Sequence, residues 1–317
     1  MKLILDKKKI RKGRPIGLPY IGSKKKISKK IIEIIKQNFG TDKTIYDLFG
    51  GGGAISLECK LQGLDVVYND IDPIPGQMIQ KILSEDREYL KTLICSREEF
   101  FKIRDKENKT IDDHLILLIN SFGNNSKHYL YSKELSDFKY KLAKKIIENH
   151  DCFVGYKQTE TYKRFVVQSG KNIRLQQLQH VAQTERIIGG GGTPIKSLRI
   201  QQLERLLHLE NMKVIPSLEI HNKSYSEFSN IKNSIIYLDP PYENTSKVYE
   251  HNNLDYEEFY KWCEKMSKEN TVLISGYHMP DDFEVVYEFT KARSTLQGGS
   301  HESKYEKLFM VKDNHSN

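Results

Sequence analysis

The chain has 317 residues, 38% of them hydrophobic, so it can bury a large core and is long enough for one domain with an insertion or for two domains. Its 50 Lys and Arg against 42 Asp and Glu give a net charge of +8. This balance favours a polyanionic partner, although a soluble basic enzyme without one fits as well. A largely disordered chain is not indicated.

The sequence gives no strong indication of a membrane segment, of a secretory signal or of paired cysteines. No run of about 18 apolar residues appears, and the N-terminal segment lacks the apolar stretch and cleavage site of a secretory signal. We therefore expect no membrane association and a cytoplasmic protein of a bacterial or phage-infected cell. The four cysteines, at 59, 95, 152 and 263, lie far apart and predict ordinary thiols rather than a zinc site or disulfides.

The first 75 residues predict a strand, a glycine loop, a helix and a second strand. A glycine-bearing turn at 19–24 leads into apolar residues at helical spacing over 27–39. Residues 44–49 then predict a short buried strand, which the glycines 50–53 separate from a helix over 54–61. A second strand, 65–68, ends in Asn69-Asp70-Ile71-Asp72-Pro73, so acidic side chains follow its carboxyl end.

The pattern becomes polar and helix-prone between residues 76 and 209, which predicts an inserted, mainly helical domain. A glycine tract at 189–192 has no strand before it, and we interpret it as a flexible loop. Two similar segments, 173–178 and 198–203, predict related amphipathic helices rather than a solenoid.

Alternation of strands and helices resumes after residue 210. The predicted segments are 212–220, 234–238, 271–275, 284–288 and 306–311, with a helix over 256–268. The expected organisation is therefore a catalytic domain formed by 1–75 and 210–317, interrupted by a domain at 76–209.

The glycine loop and the acid after the second strand together point to a nucleoside cofactor. Asp47-Leu-Phe-Gly-Gly-Gly-Gly53 predicts a tight backbone turn at a helix N-terminus, where a ligand can approach closely. A purely structural turn is the alternative. Asp70 is suitably placed to accept hydrogen bonds from a ribose diol, although it also fits a helix cap.

The sharpest motif is an apolar strand, 235–238, that runs into Asp239-Pro240-Pro241-Tyr242. An amino group conjugated to a purine ring is a poor nucleophile. The Asp239 carboxylate and the Pro240 carbonyl would accept its two hydrogens and favour the geometry needed to attack a methyl group. The prolines stiffen the turn, and Tyr242 offers a face on which an extruded base can stack. A proline-rich turn with a partly buried Tyr is the alternative.

Four blocks resemble the Dam-type DNA (adenine-N(6))-methyltransferases of the alpha group. Tyr20-Ile-Gly-Ser-Lys24 is similar to that family's element near the methionine end of the cofactor, and residues 47–53 are similar to its glycine loop. Asn69-Asp70-Ile71 resembles its ribose and adenine contact, and 239–242 its catalytic tetrapeptide. Leu48 and Ser23 stand where that family often has Pro and Gly, and neither departure removes a charged group.

The resemblance implies an α/β fold, namely a Rossmann-like S-adenosylmethionine-dependent methyltransferase sheet with an inserted target-recognition domain. It implies S-adenosyl-L-methionine as cofactor, double-stranded DNA as partner, a flipped-out adenine as target and no metal. A cognate restriction endonuclease is a further candidate partner. The catalytic residues implied are Asp239, Pro240, Pro241 and Tyr242, and the cofactor-binding residues are Tyr20, Gly22, Lys24, Asp47, Phe49, Gly51, Gly53, Asp70 and Ile71.

DNA contacts are expected within the insertion. Residues 120–131 are loosely similar to a stretch of the family's target-recognition domain, and a basic run at 156–164 is interleaved with tyrosines. The candidates for DNA contact are Asn124, Lys127, Lys157, Lys163 and Arg164.

Other functions fit the same residues. Methylation of the N4 amino group of cytosine, or of an amino group in RNA, would use the same strand-end geometry. A catalytically silent DNA-binding homologue would keep the fold. Two cofactor elements beside an intact 239–242 block argue against silence, and an aspartate at 239 favours adenine because the cytosine enzymes more often carry Ser there.

Overall fold

The computed structural model describes residues 1–20, 22–165, 199–241, 254–289 and 305–312. Tyr242, the glycine tract 189–192 and the segment 173–178 lie outside these ranges. The chain divides into two compact units. Met1–Ser84 and Met212–Asn317 form the first, here called the sheet unit, and Glu85–Asn211 form the second, here called the helical unit.

The described part of the sheet unit contains seven strands and four α-helices. The strands are β1 (Ile45–Asp47), β2 (Val66–Asn69), β3 (Glu219–His221), β4 (Ile235–Leu238), β5 (Thr271–Gly276), β6 (Phe283–Glu288) and β7 (Lys307–Val311). The helices are α1 (Ser28–Phe39), α2 (Ser56–Leu61), α3 (Pro73–Ser84) and α9 (Tyr256–Ser267).

All seven strands form one sheet in the order β3-β2-β1-β4-β5-β7-β6. Strands β1 to β5 are parallel to one another, whereas β7 is antiparallel to both β5 and β6. The order reverses between β1 and β4, and ligands of open α/β sheets bind at the carboxyl ends of the strands beside such a reversal. The predicted Rossmann-like α/β fold is confirmed.

Apolar side chains cover both faces of the sheet. Ile45, Ile235 and Tyr237 point into one core with α1 and α2, and Ile236 and Leu238 point into the opposite core with α9. This arrangement follows from the period-two alternation of a strand, which sends neighbouring residues to opposite faces. Residues of β4 with odd numbers therefore belong to the α1 face.

The predicted strand over 212–220 is shorter in the structure. A 3-10 turn occupies Asn211–Val214, and β3 covers only Glu219–His221. Pro216 lies between them, and proline has no backbone N–H to donate to a strand ladder. The other predicted strands agree with the structure within two residues at each end.

The described part of the helical unit contains five α-helices. They are α4 (Arg87–Thr92), α5 (Arg97–Arg104), α6 (Ile111–Asn120), α7 (Lys133–Asn149) and α8 (Gln201–Glu210). Helix α6 begins in a capping box, in which the Thr110 hydroxyl accepts from the Asp113 amide and the Asp113 carboxylate accepts from the Thr110 amide.

A hairpin-like loop follows α6. The Leu130 amide donates to the Asn120 carbonyl at 2.7 Å, and the Phe122 amide donates to the His128 carbonyl at 2.7 Å. At its root, the Arg205 guanidinium donates to the carbonyls of Leu118, Ile119 and Ser121 at 2.8–2.9 Å. These bonds satisfy the last carbonyls of α6 and fix where the loop begins.

Candidate active site

Three aspartates lie at the carboxyl ends of three adjacent strands. Asp47, the last residue of β1, is in register with Tyr68 of β2 and Tyr237 of β4. Asp70 and Asp239 each follow those tyrosines by two residues. Because the three strands are parallel, the aspartates belong to the same edge of the sheet, beside the reversal of strand order.

Asp239 forms a short ion pair with Lys24. Their Oδ1 and Nζ atoms lie 2.6 Å apart, and the side chains are only 18% and 8% exposed. Period two places Asp239 on the α1 face of the sheet, and Lys24 begins the 3-10 turn Lys24–Lys26 that leads into α1. The structure thus brings together two residues that are 215 positions apart in the sequence.

This pair has a second carboxylate beside it. Glu306, which precedes β7, lies 3.5 Å from the Lys24 ammonium. Burial opposes the charge on Lys24, but the two carboxylates outweigh it and raise the pKa of Lys24 above its ordinary value. Burial also raises the pKa of Asp239, and Lys24 opposes that increase. Lys24 therefore stays protonated and favours the ionised form of Asp239.

Asp47 uses its carboxylate inside the protein. It is 1% exposed, and its Oδ2 accepts from the Ser56 hydroxyl at 2.6 Å and from the Ser56 amide at 3.1 Å. The pKa of Asp47 is raised to about 7; burial is the largest cause, the Ser56 hydrogen bonds oppose it, and the charges of Asp239 and Asp70 add to it. Asp47 thus joins the end of β1 to the first turn of α2.

Asp70 holds the glycine loop. Its Oδ2 accepts from the Gly51 amide at 2.7 Å, and its Oδ1 accepts from the Asp72 amide at 2.9 Å. The pKa of Asp70 is raised to about 6, because the effect of burial exceeds the opposing effect of these two backbone hydrogen bonds. Each carboxylate oxygen can accept a further hydrogen bond, so the observed bonds are compatible with a ligand hydroxyl.

Two tyrosines flank the glycine loop. Tyr68 donates its hydroxyl to the Gly51 carbonyl at 2.8 Å, and a Cβ placed on Gly50 would lie 2.2 Å from its ring. A Cβ on Gly52 would lie 2.6 Å from the Cβ of Tyr20. Close packing within the protein therefore explains Gly50 and Gly52. Gly51 has φ +45°, a left-handed conformation that favours glycine.

The remaining predicted residues of the sheet unit have varied surroundings. Phe49 stacks on Tyr225 with ring centroids 5.8 Å apart, and Ile71 is exposed. Gly22 has φ +75°. Pro240 is buried, and the Pro241 carbonyl accepts from the Tyr256 hydroxyl at 2.7 Å. That bond fixes the turn after Asp239. A Cβ on Gly53 would lie 2.7 Å from Ile79 Cδ1.

The predicted DNA-contacting residues all belong to the helical unit. Asn124 has φ +58° in the hairpin-like loop, and Lys127 is exposed beside it. The three basic side chains farther along are exposed and have acidic neighbours. Lys157 lies 3.9 Å from Glu204, Lys163 lies 3.6 Å from Glu160, and Arg164 lies 4.0 Å from Glu160. Exposed pairs at such distances are weak and leave the cations available to phosphates.

Sequence reasoning missed several residues that shape the site. Glu306 contacts Lys24, Tyr68 fixes the glycine loop, and Tyr256 fixes the turn after Asp239. The sequence carried a signal for one of them, since Tyr68 directly precedes the Asn69-Asp70-Ile71 block. The other two are distant in sequence from the residues that they contact.

A Rossmann-like sheet with a glycine loop and acids at the ends of β1, β2 and β4 is typical of enzymes whose ligands bind at the carboxyl ends of the strands, beside the reversal of strand order. The chain belongs to the D12 class N6 adenine-specific DNA methyltransferases, because the model of that family matches residues 20–303. Among curated proteins, no match to the chain was found.

The family decides between the functions that the sequence left open. The protein is an enzyme that methylates adenine in DNA at N6, and its target base is flipped out of the duplex. The predictions of an adenine-specific DNA methyltransferase and of the Dam-type family are confirmed. None of the helices in the described ranges is long and apolar enough to cross a membrane.

Proposed function

We propose that this enzyme takes its methyl group from S-adenosyl-L-methionine and that Asp239, Pro240, Pro241 and Tyr242 surround the target adenine in double-stranded DNA. The observation that carries the proposal is the position of Asp239. Its carboxylate lies at the carboxyl end of β4, partly exposed, with one oxygen on the Lys24 ammonium. The second oxygen is suited to accept a hydrogen from the target amino group.

The role of Asp239 follows from the chemistry of that amino group. The lone pair of the adenine N6 is delocalised into the ring, and hydrogen bonds from N6 to two acceptors favour the pyramidal form in which the lone pair is free to attack. Asp239 and the Pro240 carbonyl are the proposed acceptors. Lys24 opposes the increase in the pKa of Asp239 that burial causes, and Tyr256 holds the turn through the Pro241 carbonyl. Acceptors fixed in advance stabilise the transition state without further reorganisation.

The residues at the strand ends fit a cationic nucleoside donor. Burial raises the pKa of both Asp47 and Asp70, so a nearby positive charge would favour their ionised forms. S-adenosylmethionine supplies an electrophilic methyl group on a positively charged sulfur. Asp70 is proposed to bind its ribose while keeping Gly51 in place, and Tyr20 and Lys24 to lie toward its methionine end.

The remaining cofactor residues are proposed on the same basis. Asp47 is proposed to act through the buried bond to Ser56 that shapes the loop, since its carboxylate is covered. Exposed Ile71 is proposed to contact the adenine ring of the cofactor. The other proposed cofactor-binding residues are Gly22, Phe49, Gly51 and Gly53, which shape the backbone that the cofactor would contact.

The helical unit is proposed as the target-recognition domain. Asn124 and Lys127 lie in a loop whose root is fixed by Arg205, and the same loop exposes 65% of the Phe122 side chain. An exposed ring can insert between base steps, and neighbouring cations can contact phosphates. Lys157, Lys163 and Arg164 are proposed as further phosphate contacts. A cognate restriction endonuclease is proposed as a second partner from the resemblance alone.

Calorimetric titration with S-adenosylmethionine tests the cofactor assignment. Asp70→Ala should weaken binding by about 1–3 kcal/mol, since it removes a ribose acceptor and frees the Gly51 amide. Asp72→Ala is the matched control, because it removes a neighbouring carboxylate that caps Ile74 instead. Equal affinities of Asp70→Ala and the wild type would exclude the proposed role of Asp70.

Binding to a duplex with and without the target base tests the DNA assignment. Phe122→Ala should reduce affinity and base extrusion, reported by 2-aminopurine fluorescence at the target position. Val154→Ala, which removes another exposed apolar side chain of the helical unit, is the control. Identical behaviour of the two variants would remove the loop from the proposed interface.

A further inference from the structure

Glu306 lies at the catalytic edge of the sheet because of the direction of β7. This strand is antiparallel to β5, and Lys307 at its start is in register with Gly276 at the end of β5. The residue before β7 therefore belongs to the same edge as the residue after β4. Glu306 is 4% exposed there, and its backbone carbonyl accepts from the Phe289 amide at 2.9 Å.

One ammonium group is shared by two carboxylates at this edge. Lys24 Nζ lies 2.6 Å from Asp239 Oδ1 and 3.5 Å from Glu306 Oε1. With all three groups ionised, the cluster carries one net negative charge. Burying charges in this way is a poor source of stability, since desolvation offsets most of the attraction. A contribution to the reaction explains the arrangement better than a contribution to folding.

We infer that Glu306 is a positioning residue for methyl transfer and that it acts through Lys24. The Glu306 carboxylate also attracts the ammonium, at 3.5 Å. Lys24 is thereby held where it orients one oxygen of Asp239, and the positive charge is divided between two acceptors. Asp239 keeps more negative charge on its other oxygen than it would beside an ammonium of its own. This inference rests on the proposed role of Asp239.

Two expected consequences distinguish a positioning role of Glu306 in methyl transfer from a purely structural role in holding β7. First, Glu306 should affect the chemical step rather than DNA binding, because its side chain is buried and pairs with Lys24. Second, its effect depends on the presence of Lys24. The backbone bond between Glu306 and Phe289 survives any change of side chain, so anchoring of β7 is not removed with the carboxylate.

Glu306→Gln in the full-length protein tests the first consequence. The single-turnover rate of methyl transfer should fall by about 10–100-fold, as for loss of a preorganised electrostatic contact, with KM for DNA unchanged within about twofold. Glu306→Asp should recover part of the rate, because it keeps the charge. Glu288→Gln, on the exposed end of β6 opposite Lys307, is the control and should behave as wild type.

A double-mutant cycle with Lys24→Gln tests the second consequence. In that background Glu306→Gln should change the rate by less than about twofold, because the group through which it acts is gone. Lys24→Met, which is of similar length and carries no charge, replaces Lys24→Gln in the cycle if the latter does not fold. The inference is overturned if Glu306→Gln keeps the wild-type rate, if its cost is the same in both backgrounds, or if the loss follows the melting temperature alone.

The same assays distinguish failure of this inference from failure of the proposed function. If Asp239→Asn abolishes methyl transfer and Glu306→Gln does not alter it, only the role of Glu306 is wrong. If Asp239→Asn retains the wild-type rate, the role of Asp239 is wrong and the role of Glu306 falls with it.

Discussion

Two buried polar clusters, one in each unit, are built differently. In the sheet unit, Lys24, Asp239 and Glu306 face one another at the ends of strands. In the helical unit, the Arg205 guanidinium donates hydrogen bonds to three backbone carbonyls, and burial lowers the pKa of Arg205 to about 10. Gln202 donates to the Cys95 carbonyl and the Asn120 side chain.

The contrast separates groups kept for chemistry from groups kept for structure. A side chain that bonds a backbone carbonyl satisfies an acceptor that folding would otherwise leave buried and unpaired. Charged side chains that face each other satisfy no such need, and apolar replacements are often as stable. Substitutions in the sheet unit should therefore alter reaction and pH dependence, and those in the helical unit should alter stability and DNA binding.

The largest expected effect is the pH dependence caused by Asp47. Its pKa in the folded protein is about 7, above the ordinary 3.8, so the folded state binds more protons than the unfolded state between these values. Stability from this group is present at low pH and is lost as the pH rises toward 7. Relative to Asp47→Asn, the wild type should lose up to about 1.4 kcal/mol of unfolding free energy per pH unit.

Denaturant unfolding at several pH values from 4 to 8 measures that difference. The Asn variant keeps an acceptor for the Ser56 amide, so it isolates the effect of charge. Parallel stability curves for the two proteins would show that Asp47 titrates as an ordinary surface carboxylate.

A smaller effect is expected when the polar network of the helical unit is broken. Gln202→Leu should lower the unfolding free energy by about 1 kcal/mol, because the Cys95 carbonyl and the Asn120 side chain each lose a donor, while Tyr129 still donates to that carbonyl at 2.8 Å. Gln201→Leu, at the less buried neighbouring position, should change it by less than about 0.5 kcal/mol. The methyl-transfer rate of folded Gln202→Leu at saturating substrates should equal that of wild type. A slower methyl-transfer rate at saturating substrates would show that Gln202 also affects the reaction, contrary to the distinction drawn between the two units.

The smallest effect on stability is expected from the exposed basic residues. Replacement of Lys157, Lys163 and Arg164 by Ala should flatten the slope of log affinity for DNA against log salt by up to about 3. Their acidic neighbours at 3.6–4.0 Å contribute little to folding. Replacement of Lys141, Lys144 and Lys145 on α7 is the charge-matched control. If both triple variants flatten the slope equally, net charge rather than these contacts sets DNA affinity.

How much the sequence could predict depended on whether a signal was local. Asp70 and Asp239 were found because each directly follows an apolar strand, and parallel neighbours bring such positions to one edge. Glu306 was missed because its place depends on β7 inserting between β5 and β6, which no local pattern encodes. The inward orientation of Asp47 was also beyond the sequence, since an acid before a glycine loop looks the same whether it faces a ligand or Ser56.

Asp239 carries the proposed chemistry, and the most direct test of its role compares turnover with stability in Asp239→Asn. Lys24 keeps Glu306 as a partner in this variant, so the unfolding free energy should stay within about 1 kcal/mol of wild type. Formation of N6-methyladenine, measured by mass spectrometry of nucleosides from treated DNA, should fall by at least about 10³-fold. A folded Asp239→Asn protein that methylates adenine within tenfold of the wild-type rate would contradict the account.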